Sequence, residues 1–102
     1  MQAARLVAEQ GAVLVDVREL GEWDAGHAPG ALHVPLDQVP ERVAEIPAPP
    51  TTVVVVCRSG YRSALAATWL RGQGRDAFNL AGGLLDWAQA GLPLVSGADE
   101  PG

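Results

Sequence analysis

The chain alternates between short apolar runs and amphipathic stretches of two or three helical turns. Ala12-Val13-Leu14-Val15-Asp16-Val17 is a near-continuous β-branched run, the pattern of a strand buried on both faces. Thr51 to Cys57, built around consecutive valines, repeats that pattern more strongly. Ala31-Leu32-His33-Val34 predicts a brief strand closed by Pro35, and Ala77-Phe78-Asn79-Leu80 a fourth buried strand. Helical patterns separate these runs. Residues 3–9 predict a short helix stopped by Gly11, and Glu19 to Ala25 another, with acids in its first turn and Gly26 at its end. Leu36, Val39, Val43 and Ile46 recur at helical spacing and predict a helix over that stretch. Arg62 to Arg71 predicts a helix with Leu65, Trp69 and Leu70 on or near one face. A Gly82-Gly83 turn precedes a helix from Leu84 to Ala90, which Gly91-Leu92-Pro93 stops. Pro47-Ala48-Pro49-Pro50 cannot continue a helix and marks a surface connection.

Apolar strands alternating with helices predict an α/β fold, with a central, mainly parallel sheet covered by helices on both faces. Ligands of such open sheets bind beyond the carboxyl ends of the strands. Those ends carry Asp16-Val17-Arg18, Cys57-Arg58 and Leu80-Ala81-Gly82, which narrows the search for chemistry to three short stretches. The chain of 102 residues has room for one core; residues 1–95 are expected to form the domain and 96–102 a flexible tail. With 48% hydrophobic and 19% charged residues it is not a disordered sequence, and no apolar run reaches the ~18–20 residues of a membrane-spanning helix. Its seven basic residues, all arginine, against twelve acidic ones give a net charge of −5, which argues against a nucleic-acid or anionic-membrane partner. The one cysteine, Cys57, excludes an internal disulfide and a cysteine-only zinc site. No signal-peptide pattern opens the chain, so the expected location is cytoplasmic.

The chemistry centres on Cys57-Arg58-Ser59-Gly60-Tyr61-Arg62-Ser63. Cys57 ends a buried strand and a helix opens about five residues later, so the loop between can turn successive backbone N–H groups toward one centre. The helix dipole and the guanidinium groups of Arg58 and Arg62 add positive potential. A thiol there is expected to ionise below its ordinary pKa and to act as a nucleophile without a histidine base. Phosphatases and arsenate reductases also set a cysteine and an arginine on an anion-binding loop. Their signature has five intervening residues, whereas here only Arg58, Ser59, Gly60 and Tyr61 separate Cys57 from Arg62. The smaller ring suits a sulfur anion better than a tetrahedral phosphate.

This loop resembles the active-site loop of single-domain rhodaneses, the sulfurtransferases. Leu14-Val15-Asp16-Val17-Arg18-Glu19, Glu22-Trp23, Gly26-His27-Ala28-Pro29-Gly30-Ala31 and Val34-Pro35 are similar to that family's amino-terminal signature. Asn79-Leu80-Ala81-Gly82-Gly83, Trp87 and Gly91-Leu92-Pro93 are similar to its carboxyl-terminal one. The resemblance implies a rhodanese-like three-layer sandwich and a persulfide on Cys57, formed from thiosulfate or a similar small anionic donor and discharged to cyanide or a thiol. It implies no cofactor and no metal. A relay loaded by a protein donor and emptied by a protein acceptor needs the same loop.

Within that picture Arg58 and Arg62 are candidates for binding the donor, against the plainer role of surface charge or an arginine bonded to a neighbouring carboxylate. Ser59, Gly60 and Tyr61 contribute mainly backbone; Gly60 supplies a conformation closed to other residues, and Tyr61 is a candidate pocket wall. Ser63 is expected to cap the helix. Asp16 and Arg18 are expected to form an ion pair bracing the loop. His27 and His33 lack partners at ligand spacing and are expected to be hydrogen-bonded structural residues, while Trp23, Trp69 and Trp87 are expected in the core.

Overall fold

The computed structural model describes residues 2–96. The two valine-rich runs form the centre of the sheet: β1 (Val13–Asp16) and β3 (Thr52–Val56) pair in parallel, with Val13 opposite Val53 and Asp16 opposite Val56. β2 (Leu32–His33) flanks β1 and β4 (Asp76–Asn79) flanks β3, both parallel, giving the order β2-β1-β3-β4. The chain leaves β1 toward one edge to build β2, then crosses to the other side of β1 to build β3. The direction of winding therefore reverses between β1 and β3, and Cys57 follows immediately after β3 at that reversal. Open α/β sheets place their ligand crevice at such a point.

Side-chain alternation along the central strands splits the core in two. Val15, Val17, Val53, Val55, Cys57 and Ala77 face one side and pack with Ala66, Ala67 and Leu70 of α3 (Tyr61–Gly72). Leu14, Val54 and Val56 face the other side and pack with Ala3 of α1 (Gln2–Gln10) and with Leu84 and Trp87 of α4 (Gly83–Gln89). The layered parallel architecture expected from the sequence is present, and β1 and β3 are buried on both faces. α2 (Leu20–Ala25) joins β1 to β2. No helix among the described residues is long and apolar enough to cross a membrane.

Three expectations change. The stretch from Leu36 to Ile46 is two 3-10 turns, Leu36–Gln38 and Val43–Glu45, because Pro40 lacks the N–H that a continuous helix would use there. Its apolar spacing still serves the core, with Val39 and Ile46 buried. β4 is an outer edge of the sheet and not a buried strand: Ala77 is buried, whereas Phe78, on the opposite face, is 51% exposed. Leu65 is 52% exposed, since α3 turns Ser63, Ala66, Ala67 and Leu70 inward. Of the tryptophans, Trp87 is buried, Trp69 packs partly against the core, and Trp23 is half-buried. Beyond Ser96 the expected tail lies outside the described residues.

α4 is docked onto the loop that follows β3. Near a helix N-terminus the amides have no partner within the helix; here the Leu84 and Leu85 N–H groups donate to the carbonyls of Cys57 (2.9 Å) and Arg58 (3.1 Å). Gly83 allows this approach: its φ is +60°, and a Cβ there would collide with both of those carbonyl groups. Gly83→Ala is therefore expected to lower stability by about 2 kcal/mol or more, read by equilibrium urea unfolding. A loss below about 0.5 kcal/mol would show that α4 can withdraw from the loop at little cost.

Candidate active site

The Cys57 loop is shaped by where its carbonyls go. A trans peptide points its C=O and N–H in opposite directions. Because the Cys57 and Arg58 carbonyls turn toward α4, the N–H groups of Arg58 and Ser59 turn away from it. Gly60 then takes φ +104°, and a Cβ at that position would collide with the Ala81 carbonyl oxygen, so only glycine fits. The Gly60 N–H donates to Cys57 Sγ at 3.1 Å. α3 opens at the next residue and contributes the Ser63 hydroxyl, whose Oγ lies 3.2 Å from the same sulfur. Cys57 is 1% exposed.

Burial of this sulfur raises the free energy of its charged form, yet its pKa is lowered overall. The Ser63 hydroxyl and the backbone N–H groups of Ser63, Gly60 and Ser59 together more than offset the desolvation. The expected ring of amides is present in part, with Gly60 making the direct bond. Ser63 is not a cap, because Gly60 occupies the N-cap position and the buried Ser63 side chain turns to the sulfur.

The arginines take unequal roles. Arg62 is not a free cation: its Nη1 and Nη2 donate to the two carboxylate oxygens of Glu22 on α2, at 2.6 and 2.9 Å. Glu22 also accepts from the Glu19 N–H at 3.2 Å. The Arg62 bond, joined by that of the Glu19 amide, overcomes partial burial and brings the Glu22 pKa down to about 2. Arg62 nevertheless feels the charges of Cys57 and Asp16. Arg58 is exposed and has no carboxylate partner among the described residues. Of the loop's two arginines, then, Arg62 is committed to a carboxylate and Arg58 is not. Tyr61, the first residue of α3, has its side chain 75% exposed.

At the end of β1, Asp16 and Arg18 form the expected ion pair, with Arg18 Nη2 2.8 Å from Asp16 Oδ2. Arg18 also donates to the Gly26 carbonyl at 2.7 Å, tying the strand end to the exit of α2. Both residues are buried, so the pair exists to satisfy charge inside the protein and offers no free cation to a substrate. The Trp23 ring stacks with two histidine rings, 3.5 Å from His27 and 4.6 Å from His33 between centroids. His27 Nδ1 is 2.9 Å from the Trp23 carbonyl and His33 Nε2 2.8 Å from that of Arg18, in keeping with structural histidines.

Two residues that pattern reading did not single out complete the site. Glu22 holds Arg62, and Asn79, at the end of β4, reaches Ser63 Oγ (2.5 Å) and the Gly60 carbonyl (3.2 Å). Asn79 shares its face of the sheet with Ala77 and thus with Cys57, a relation fixed by strand register and not visible along the chain. A cleft of about 630 Å³, lined partly by Leu6, Val54 and Phe78, lies beside the outer edge of β4. It presents the carboxylates of Asp76 and Asp86 and no cation, so it does not suit the anionic chemistry that the loop invites.

Because Glu22 is depressed on folding, the Arg62–Glu22 pair stabilises the fold above the carboxyl's ordinary 4.5 and loses that effect as pH falls toward about 2. Glu22→Gln is accordingly expected to lower the Tm at neutral pH, with the gap from the parent closing between pH 4.5 and about 2. A Tm difference that stays constant across that range would remove the ionised pair as the cause.

The Rhodanese-like domain model matches residues 2–90. A protein named sulfurtransferase from Allochromatium vinosum is 42% identical over 93 residues, covering 90% of this chain and 86% of that protein. The thiosulfate sulfurtransferase GlpE of Pseudomonas fluorescens is 40% identical over 87 residues, covering 82% of this chain and 77% of that one. Among solved structures, a rhodanese-related protein from Thermoplasma volcanium superposes with a TM-score of 0.81 at 29% identity, covering 91% of this chain and 93% of the other. A parallel sheet, a cysteine at its winding reversal and an amide-lined loop accompany these matches over nearly the whole chain, which belongs to the rhodanese-like family of sulfurtransferases.

Proposed function

We propose that this protein moves a sulfane sulfur from thiosulfate, or a small anion like it, to cyanide or a thiol through a persulfide on Cys57. The observation that carries this reading is the buried sulfur held by the Gly60 amide and the Ser63 hydroxyl, with its pKa lowered. The Cys57 thiolate attacks the outer sulfur of thiosulfate. A Sγ–S bond forms, the S–S bond of the donor breaks, and sulfite leaves with its electron pair. The negative charge now sits on the terminal sulfur. Loop amides stabilise it as an oxyanion hole stabilises oxygen, and an acceptor thiolate or cyanide then takes that sulfur and restores the Cys57 thiolate. Arg58 meets the sulfonate end of the donor; Arg62, neutralised by Glu22, holds α2 against α3 and contributes a weaker field. The scheme as written needs neither metal nor redox partner.

Incubation with thiosulfate, removal of the excess and intact-mass measurement is expected to give an adduct of about +32 Da on the parent protein and none on Cys57→Ser. Persistence of the adduct in Cys57→Ser, or its absence from the folded parent, overturns the reading. Loading from a protein persulfide alone, with thiosulfate inert, would identify a relay. In steady-state assays Arg58→Ala is expected to raise the thiosulfate half-saturation roughly three- to tenfold, more than Arg62→Ala does. Equal and negligible effects would remove both guanidinium groups from donor binding.

A further inference from the structure

The Ser63 hydroxyl lies between two acceptors and owns one hydrogen. Its Oγ is 3.2 Å from Cys57 Sγ and 2.5 Å from Asn79 Oδ1. The far end of the Asn79 amide donates from Nδ2 to the Gly60 carbonyl at 3.2 Å, which fixes the amide so that its oxygen, and not its nitrogen, faces Ser63. When the cysteine is a thiol, every group is satisfied: S–H donates to Ser63 Oγ and the Ser63 hydrogen goes to Asn79 Oδ1. When it is a thiolate, two acceptors claim the single hydrogen and one of them must go without. Either the sulfur loses the serine donor, or the Asn79 oxygen faces an oxygen lone pair.

We propose that Asn79 is a positioning residue that acts through Ser63 to raise the free energy of the Cys57 thiolate relative to the persulfide. The inference rests on the sulfur-transfer reading of Cys57. Once sulfur is transferred, the charge moves to the terminal atom and Sγ becomes a neutral, divalent sulfur with little call on the hydroxyl. The Ser63 hydrogen then returns to Asn79. The contest for that hydrogen therefore exists before transfer and is relieved by it. It also keeps the attacking thiolate more basic than the loop amides and an uncontested Ser63 hydroxyl would leave it, and a more basic thiolate is a better nucleophile.

The other charges around the sulfur do not enter this contest. They are Arg62 paired with Glu22 across α3 and α2, Asp16 paired with Arg18 at the end of β1, and Arg58 in the loop itself. Removing the Asn79 side chain leaves each of them in place. It also leaves the Gly60 carbonyl a donor, the Ala64 N–H at 3.2 Å, so the loop keeps a hold on that peptide.

The test uses the chain's one cysteine, whose ionisation can be followed by ultraviolet thiolate absorbance without interference from another thiol. Asn79→Ala is expected to move the titration midpoint down by roughly half to one pH unit, because Ser63 can then serve the sulfur alone. Asn79→Val, which suits a strand, gives the same shift if alanine at this position unfolds the protein. Ser63→Ala is expected to move the midpoint up, and adding Asn79→Ala to it to change nothing further. A midpoint that rises or stays in the Asn79 variants overturns the proposal, as does an equal shift in the Ser63→Ala background. This titration requires no sulfur donor, so it can fail while the mass adduct forms, and the adduct can fail while the titration behaves as expected.

Discussion

Two hydrogen bonds from the start of α4 organise the whole site. The Leu84 and Leu85 amides need acceptors that their own helix cannot supply, and they take the carbonyls of Cys57 and Arg58. Because peptide groups are planar and trans, holding those carbonyls on one side commits the following N–H groups to the other. The amide-lined shape of the loop is thus a consequence of helix docking as much as of the loop's own residues. Gly83 and Gly60 mark the two places where the backbones come too close for a side chain, one on each partner of the contact. The Gly-Gly turn that could pass for a phosphate-binding motif is a spacer that brings α4 onto the loop.

This arrangement explains how a chain of net charge −5 can lower the pKa of a buried thiol. Charges on an exposed surface are screened within roughly 8 Å at physiological salt, so net charge carries little weight inside a buried loop. The local field comes from oriented amides and one hydroxyl, none of which has a counterion to lose. Most of the nearby arginine charge is already committed: Arg18 to Asp16, and Arg62 to Glu22. Arg18, through its bond to the Gly26 carbonyl, ties β1 to the end of α2, and the Arg62–Glu22 pair ties α2 to α3, which makes both part of the frame around the sulfur. Arg58, exposed on the same loop, has no carboxylate partner among the described residues.

Much of the fold is legible along the chain because its signals are local. The β-branched runs at Val13–Asp16 and Thr52–Val56, the glycine after each helix and the apolar spacing of Leu84 and Trp87 each report their own segment. Two of the misreadings turn on an element's neighbours and one on a proline inside its own segment. Ala77-Phe78-Asn79-Leu80 is apolar enough to be central, yet the strand order leaves β4 outermost and Phe78 half uncovered. The spacing of Leu36, Val39, Val43 and Ile46 is helical, yet Pro40 breaks the hydrogen-bond ladder and the same residues reach the core from two separate turns. Leu65 fits an apolar stripe, but the small side chains of Ala66 and Ala67 are what allow α3 to lie close to β3.

The sequence by itself determined the layered α/β fold, the position of Cys57 at a strand's carboxyl end, and the loop of glycine, serine and arginine that makes a thiolate possible. Those features depend on residue type and on spacing within one segment. Only the tertiary structure decided which arginine is free, that Ser63 serves the sulfur and not the helix end, and that Asn79 stands beside it. Glu22 lies 40 residues from Arg62, and Asn79 lies 16 from Ser63. Partners so far apart are chosen by strand register and helix docking, and a hydrogen bond of about 3 Å leaves no trace in the residues that lie between them.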